Sequence, residues 1–169
     1  MRYSLSDMAR ICGGVLHGAD SVVGDVVTDS RRYAFGDGAL FVAMRGANHD
    51  AHDYIAQMYN RGVRAFLVER SVALADDAGY VVVDNALEAL QLLAAAHRAT
   101  FNGVVVGITG SNGKTMIKEW TARSLPAGVK IIASPMSYNS QLGVALSLLM
   151  IQGDEQVALI EAGERKSVV

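Results

Sequence analysis

The sequence predicts an α/β fold in two parts. Residues 1–102 read as a small α/β domain, and residues 103–169 as the first part of a P-loop parallel-sheet domain. Three observations carry this. Short β-branched runs alternate with segments of helical period, which is the pattern of parallel βαβ units. Phe101-Asn102-Gly103 is a turn signal between two such series. A glycine-rich stretch ending in Gly113-Lys114-Thr115 lies between an apolar strand and a helix.

The elements follow in order. Ser4 to Asp7 offers a helix cap, Leu5, Met8, Ala9, Ile11 and Cys12 recur at helical spacing, and Gly13-Gly14 stops the helix. Val15-Leu16, Val22-Val23 and Val26-Val27, separated by Gly, Asp and Ser, make a small β region. Leu40–Met44 reads as a buried strand, Asp53–Asn60 as a helix ended by Gly62, and Ala65–Val68 and Tyr80–Val83 as strands. Ala86–Thr100 is a long Ala/Leu-rich helix capped by Asp84 or Asn85. In the second part come strand 104–108, helix 115–125, strand 129–132, helix 140–150 and strand 157–160. With only about three strands, that sheet presents an open apolar edge, a route to self-association.

Composition narrows the class. Of 169 residues, 51% are hydrophobic and 19% charged, ordinary for a globular protein of one large or two small domains. A net charge of −2 gives no reason to expect a nucleic-acid or anionic-membrane partner. No apolar run approaches the roughly 20 residues of a spanning helix, and the N-terminus lacks a signal-peptide core. Cys12 is the only cysteine, so neither a disulfide framework nor a cysteine metal cluster forms. A reducing cytoplasm is the natural compartment, and Cys12 reads as a small buried hydrophobe.

The residues from Gly107 to Thr115 carry the chemistry. A strand, a glycine-rich turn and a helix N-terminus together present backbone N–H groups and a positive dipole end to a polyphosphate. Gly110, Ser111, Asn112 and Gly113 would form the cradle, Lys114 would reach the terminal phosphates, and the Thr115 hydroxyl would ligate Mg²⁺. The strict P-loop spacing fails, since Ile108 stands where a glycine is required. A plain glycine turn is the alternative, weakened by three glycines and the strand–helix context. Glu161 ends the run Val157–Ile160, where an acid of a P-loop enzyme would meet Mg²⁺ or its waters; a solvated strand-terminal Glu is the alternative. Asn139, in the polar loop 134–143, caps the next helix or contacts substrate or phosphate. Thr28-Asp29-Ser30-Arg31 follows a short strand, and Arg45 to His52 lies between a strand and a helix. Each could bind a small anion, although a capped turn and a loop with solvated histidines are the default readings.

Together these stretches resemble the Mur ligase family of bacterial peptidoglycan synthesis. Thr28 to Arg31, Gly36 to Ala43, then Gly46 with Asp50-Ala51-His52 resemble its N-terminal UDP-binding domain. Thr109 to Thr115 resembles its ATP loop, which accounts for the failed spacing, and Asn139 to Gly143 and Glu161 resemble its Asn-rich motif and magnesium-binding Glu. Ile117 to Trp120 and Ser134 to Gln141 resemble the branch joining D-Ala-D-Ala to a UDP-N-acetylmuramoyl-peptide, the tripeptide form, in the variant fused to an alanine racemase. The resemblance implies ATP and Mg²⁺ as cofactors, and a carboxylate phosphorylated by ATP, then attacked by the D-Ala-D-Ala amine. It implies catalytic roles for Lys114 and Glu161, with Mg²⁺ on Thr115 and Glu161. Substrate contacts would come from Thr28, Ser30, Arg31, Gly46 and Asn139, with His52 a weaker candidate. Ala51 departs from the motif's glycine, and Ser140-Gln141 from an Asn-Asp pair. The likeness ends at Gly163, so an N-terminal fragment without catalysis of its own is expected. Other readings are the neighbouring ligase that adds the third peptide residue, a non-catalytic nucleotide-sugar binding module, and a small P-loop kinase, the last disfavoured by the missing acceptor site and arginine cluster.

Overall fold

The structure is a computed structural model, and it describes residues 1–31, 38–46, 49–136 and 138–163. Gly36, Asp37, Ser137 and the stretch 164–169, named above, lie outside the described residues. The chain divides into two compact units, Met1–Leu93 and Ala94–Val169.

In the first unit, β1 (Tyr3–Ser4) leads directly into α1 (Leu5–Cys12). The Ser4 hydroxyl accepts the Asp7 amide at 3.0 Å, Gly13 closes the helix, and Leu5, Met8 and Ala9 form its buried face. The β region predicted after it divides between two sheets. β3 (Val22–Val23) pairs antiparallel with β1, a partner too short to show as a pattern. β4 (Asp25–Val27) joins the main sheet instead.

That sheet has the order β2-β7-β6-β5-β4, with β2 (Val15–Gly18), β5 (Ala39–Val42), β6 (Ala65–Val68) and β7 (Gly79–Val82). All neighbours are parallel except β2, which runs antiparallel to β7. β5 and β6 are buried at every residue, as strands covered on both faces should be, and this is why they read as unbroken apolar runs. Phe41 and Phe66 meet edge to face at 6.4 Å between ring centres and pack with Ile55, Met58, Val63 and Val68. The helix expected over 53–60 starts earlier. The Asp50 carboxylate accepts the His52 amide, winding Ala51–Tyr54 into a 3-10 turn that continues as α2 (Ile55–Asn60).

α3 (Ala86–Thr100) spans the division between the units. Its cap is Asn85, whose Oδ1 accepts the amides of Leu87 and Glu88. Cys12 Sγ donates to Ala89 O at 3.2 Å, and burial pushes the thiol up to about 11, so it behaves as a small hydrophobe.

The second unit holds a three-stranded parallel sheet, β8 (Val104–Ile108), β9 (Ile131–Ala133) and β10 (Val157–Glu161), in the order β8-β10-β9. α4 (Lys114–Ser124) follows β8, and α5 (Gln141–Leu149) follows β9. The last strand in sequence therefore lies in the middle. Its apolar residues Ala158 and Ile160 pack with Phe101 and Ile151. The register sets Glu161 opposite Ile108 and Leu159 opposite Ala133, so the C-terminal ends of all three strands lie together. Among the described residues, no helix is long and apolar enough to cross a membrane.

Candidate functional site

β8 delivers the chain into the glycine loop, and the backbone there needs glycine. Gly110 and Gly113 have φ of 141° and 76°, a region that side chains resist. Gly113 is the N-cap of α4 and offers no side-chain acceptor, leaving the first-turn amides of the helix directed toward the loop. Lys114 curls back, its Nζ donating to Gly110 O.

Thr115, the second residue of α4, donates its hydroxyl to Glu161, 3.0 Å from Oε2 and 3.2 Å from Oε1. Glu161 is 1% exposed. Burial pushes its carboxyl up, but bonds from Thr115, Lys118 and Asn139, with the Lys118 charge, outweigh burial and hold it below the usual carboxylate range. Asn139 Nδ2 lies 3.3 Å from Oε1. The sequence left open that Asn139 caps α5. Ser140 does so instead, its Oγ accepting the Gly143 amide at 3.1 Å, which frees the Asn139 side chain for the carboxylate. Gly143 permits this turn, because a Cβ there would meet the Tyr138 backbone at 2.5 to 2.8 Å.

Two members of the cluster stood in the sequence only as parts of longer stretches, with no site role of their own. Lys118 Nζ donates to Ser134 O at 2.7 Å and lies 3.3 Å from Glu161 Oε2. Ser134 accepts the Glu161 amide with its Oγ at 3.0 Å. The legible signal for Lys118 was its spacing, three residues past Thr115 and on the same helix face. Ser134 carries no such signal, because only strand pairing brings it beside Glu161.

The hydroxyl of Thr115 and the carboxylate of Glu161 are hard oxygen donors, the kind Mg²⁺ takes alongside phosphate oxygens. Among the described residues, no group of three or more His, Cys, Asp or Glu could hold a metal by itself. The donor set thus fits a cation shared with a nucleotide rather than one caged by protein.

The first unit holds a separate cleft of about 780 Å³. Thr28, Ser30, Arg31, Tyr54, Gln57 and Arg61 are among its walls, and Phe41 also lines it. Arg31 grips Asp29 through Nε and a terminal nitrogen, at 2.9 and 2.7 Å, and that guanidinium holds Asp29 down to about 2. Arg61, a further residue the sequence did not flag, donates to Ser30 O at 2.6 Å and ties α2 to the 28–31 loop.

Gly46 and His52 are not among the residues that line this cleft. Gly46 closes its own turn, its amide donating to His49 O at 2.8 Å. His52 is buried with both ring nitrogens engaged. Nε2 accepts the Glu69 amide at 2.9 Å, so Nδ1 carries the proton toward Asp50 Oδ1. His52 therefore braces the loop to the end of β6; His49 lines the cleft.

Asp50 is held below its ordinary 3.8, first by the His52 amide and further by the His52 ring and Arg70. A depressed carboxylate stabilises the fold above its unfolded pKa, and that stability is lost as pH falls through the folded value. Acid titration of the wild type, followed by circular dichroism, should therefore show stability declining below about pH 4. Asp50→Asn should flatten that decline; an unchanged acid limb would show that Asp50 contributes none of it.

Residues 108–168 match the Mur ligase middle domain, and residues 22–100 match the Mur ligase family catalytic domain. The chain is 36% identical over 160 residues to the UDP-N-acetylmuramoyl-tripeptide--D-alanyl-D-alanine ligase of Escherichia coli K12, covering 95% of this chain and 34% of that protein. The enzyme of the same name from the Buchnera aphidicola symbiont of Acyrthosiphon pisum is 31% identical over 163 residues, covering 96% and 35%. A crystal structure of MurF from Acinetobacter baumannii superposes with a TM-score of 0.87 at 27% identity, over 97% of this chain and 36% of that one. MurF from Thermotoga maritima in complex with ADP gives 0.70 at 31% identity, over 82% and 32%. The chain spans about a third of the length of these curated relatives. The chain belongs to the Mur ligase family.

Proposed function

We propose that this chain supplies the precursor-binding and nucleotide-binding parts of a ligase that adds D-Ala-D-Ala to a UDP-N-acetylmuramoyl-tripeptide. The observation that carries it is the contact of Glu161, at the C-terminal end of β10, with Thr115 in the first turn of α4, beside the loop 110–115. In this reading residues 1–102 bind the UDP-sugar peptide and residues 103–169 begin the ATP domain. Gly110 to Gly113 wrap the phosphates with backbone amides, and Lys114 leaves Gly110 O to meet the terminal phosphate. Thr115 and Glu161 would hold Mg²⁺, which neutralises the charge that develops on the phosphates. Asn139 steadies the carboxylate from the β9 side.

The whole reaction then balances simply. ATP passes its γ-phosphoryl group to the tripeptide carboxylate and leaves as ADP; the D-Ala-D-Ala amine attacks the acyl carbon, phosphate departs, and the amine gives up a proton as the amide forms. The cleft walled by Thr28, Ser30 and Arg31 takes the uridine diphosphate end, with Arg31 set toward its phosphates. The chemistry of such enzymes belongs to the cytoplasm, where nucleotide precursors are made.

Isothermal titration tests this reading directly. UDP-N-acetylmuramoyl-tripeptide should bind the chain, and Arg31→Ala should weaken it by about tenfold or more, the value of one charge-assisted phosphate contact. No heat with the wild type, or equal binding by the variant, would remove the precursor from this cleft.

A further inference from the structure

α4 buries the wrong residue for a simple packing helix. Met116, Ile117 and Trp120 are exposed, Trp120 to 61%, while Lys118 between them is 4% exposed. A lysine is rarely buried fully unless it is paired, because removing an ammonium from water is costly. An apolar residue at 118 would satisfy burial with far less penalty, so the position of this amine reflects what it touches.

It touches two things. Its Nζ bonds Ser134 O at 2.7 Å and approaches Glu161 Oε2 at 3.3 Å. Asn139 approaches the other carboxylate oxygen, and Thr115 lies across both. Lys118 thus links α4, the end of β9 and the end of β10, and Ser134 closes the link by accepting the Glu161 amide. A cation held by the Thr115 oxygen would turn the Thr115 hydroxyl proton away from the carboxylate. Lys118 and Asn139 are the side chains that still fix the plane of that carboxylate.

We propose that Lys118 is a positioning residue that holds Glu161 in the orientation that receives a divalent cation beside Thr115, and so sets how strongly Mg²⁺ tightens nucleotide binding. The inference rests on the nucleotide reading above. It assigns Lys118 no contact with the nucleotide itself. Partners that orient a ligating carboxylate typically change metal affinity by 10- to 100-fold when lost.

The experiment is titration of the full 169-residue chain with ADP, once with Mg²⁺ and once with EDTA, for wild type, Lys118→Gln, Lys118→Met and Lys118→Arg. Gln keeps a donor for Ser134 O, so it preserves the fold better than Met; Met is the second neutral variant. The expected result is that Mg²⁺ tightens ADP binding to the wild type, and that this tightening falls by about tenfold or more in both neutral variants. Binding in EDTA should be unchanged, and Lys118→Arg should restore most of the Mg²⁺ effect. Equal losses with and without Mg²⁺ would mean a merely structural lysine and overturn the proposal. A stronger Mg²⁺ effect in the neutral variants would show Lys118 to be a competing charge and overturn it equally. A wild type that binds no ADP in either condition would instead remove the nucleotide reading, and the inference with it.

Discussion

Lys114→Ala is expected to weaken ADP and ATP binding by at least about a hundredfold while leaving the fold intact. A charge-assisted hydrogen bond to a phosphate is worth about 1.5–3 kcal/mol, and an ammonium, with three N–H donors, can make two of them to the oxygens of the terminal phosphate. Two such contacts exceed the roughly 2.8 kcal/mol that a hundredfold represents. The fold should not notice. Lys114 is half-buried at the mouth of the loop, and its bond to Gly110 O is readily replaced by water. A surface change of this kind falls within about 0.5 kcal/mol, or a shift of no more than about 2 °C in the melting midpoint. Fluorescent-ADP titration and differential scanning fluorimetry measure both. Undiminished affinity would return the loop to the status of a plain glycine turn.

The second large effect is on stability. Glu161→Ala removes the carboxylate of a buried pair and leaves the Lys118 ammonium with Ser134 O as its recorded acceptor. Breaking a buried ion pair from one side costs about 3–5 kcal/mol, a large share of the roughly 5–15 kcal/mol that holds a domain together. Thr115 and Asn139 lose their acceptor in the same step. The double variant Glu161→Ala, Lys118→Met should recover part of the loss, because no uncompensated charge remains inside. Urea denaturation of wild type, single and double variants provides the test. A cost below about 1 kcal/mol, the value of an exposed pair, would mean that water and not Lys118 balances this carboxylate. The double variant distinguishes ion pairing from simple packing, since lost packing would make it worse than either single change.

These effects depend on contacts of unequal legibility. Thr115 and Lys114 were readable because loop, strand and helix are contiguous, and local glycine geometry specifies them. Glu161 was readable as an acid at the end of an apolar run, but its partner was not. Asn139 stood open between a cap and a site contact until Ser140 was seen to cap α5. His52 read by default as a solvated loop histidine, and instead lies buried between Asp50 and the Glu69 amide. Its neighbours in space come from the end of β6, seventeen positions along the chain, and no spacing pattern reports that distance.

Two kinds of information are therefore separable in this protein. The amino-acid sequence by itself determined the α/β class, most strands and helices to within a few residues, and the placing of the glycine loop between a strand and a helix. All of these are local, set by hydrophobic period, caps and glycine. The tertiary structure alone decided that β10 lies between β8 and β9, that β3 leaves the main sheet, and that Lys118 turns inward. Strand order depends on which apolar faces bury each other across long separations, and a buried lysine depends on a carboxylate delivered by the last strand in the sequence.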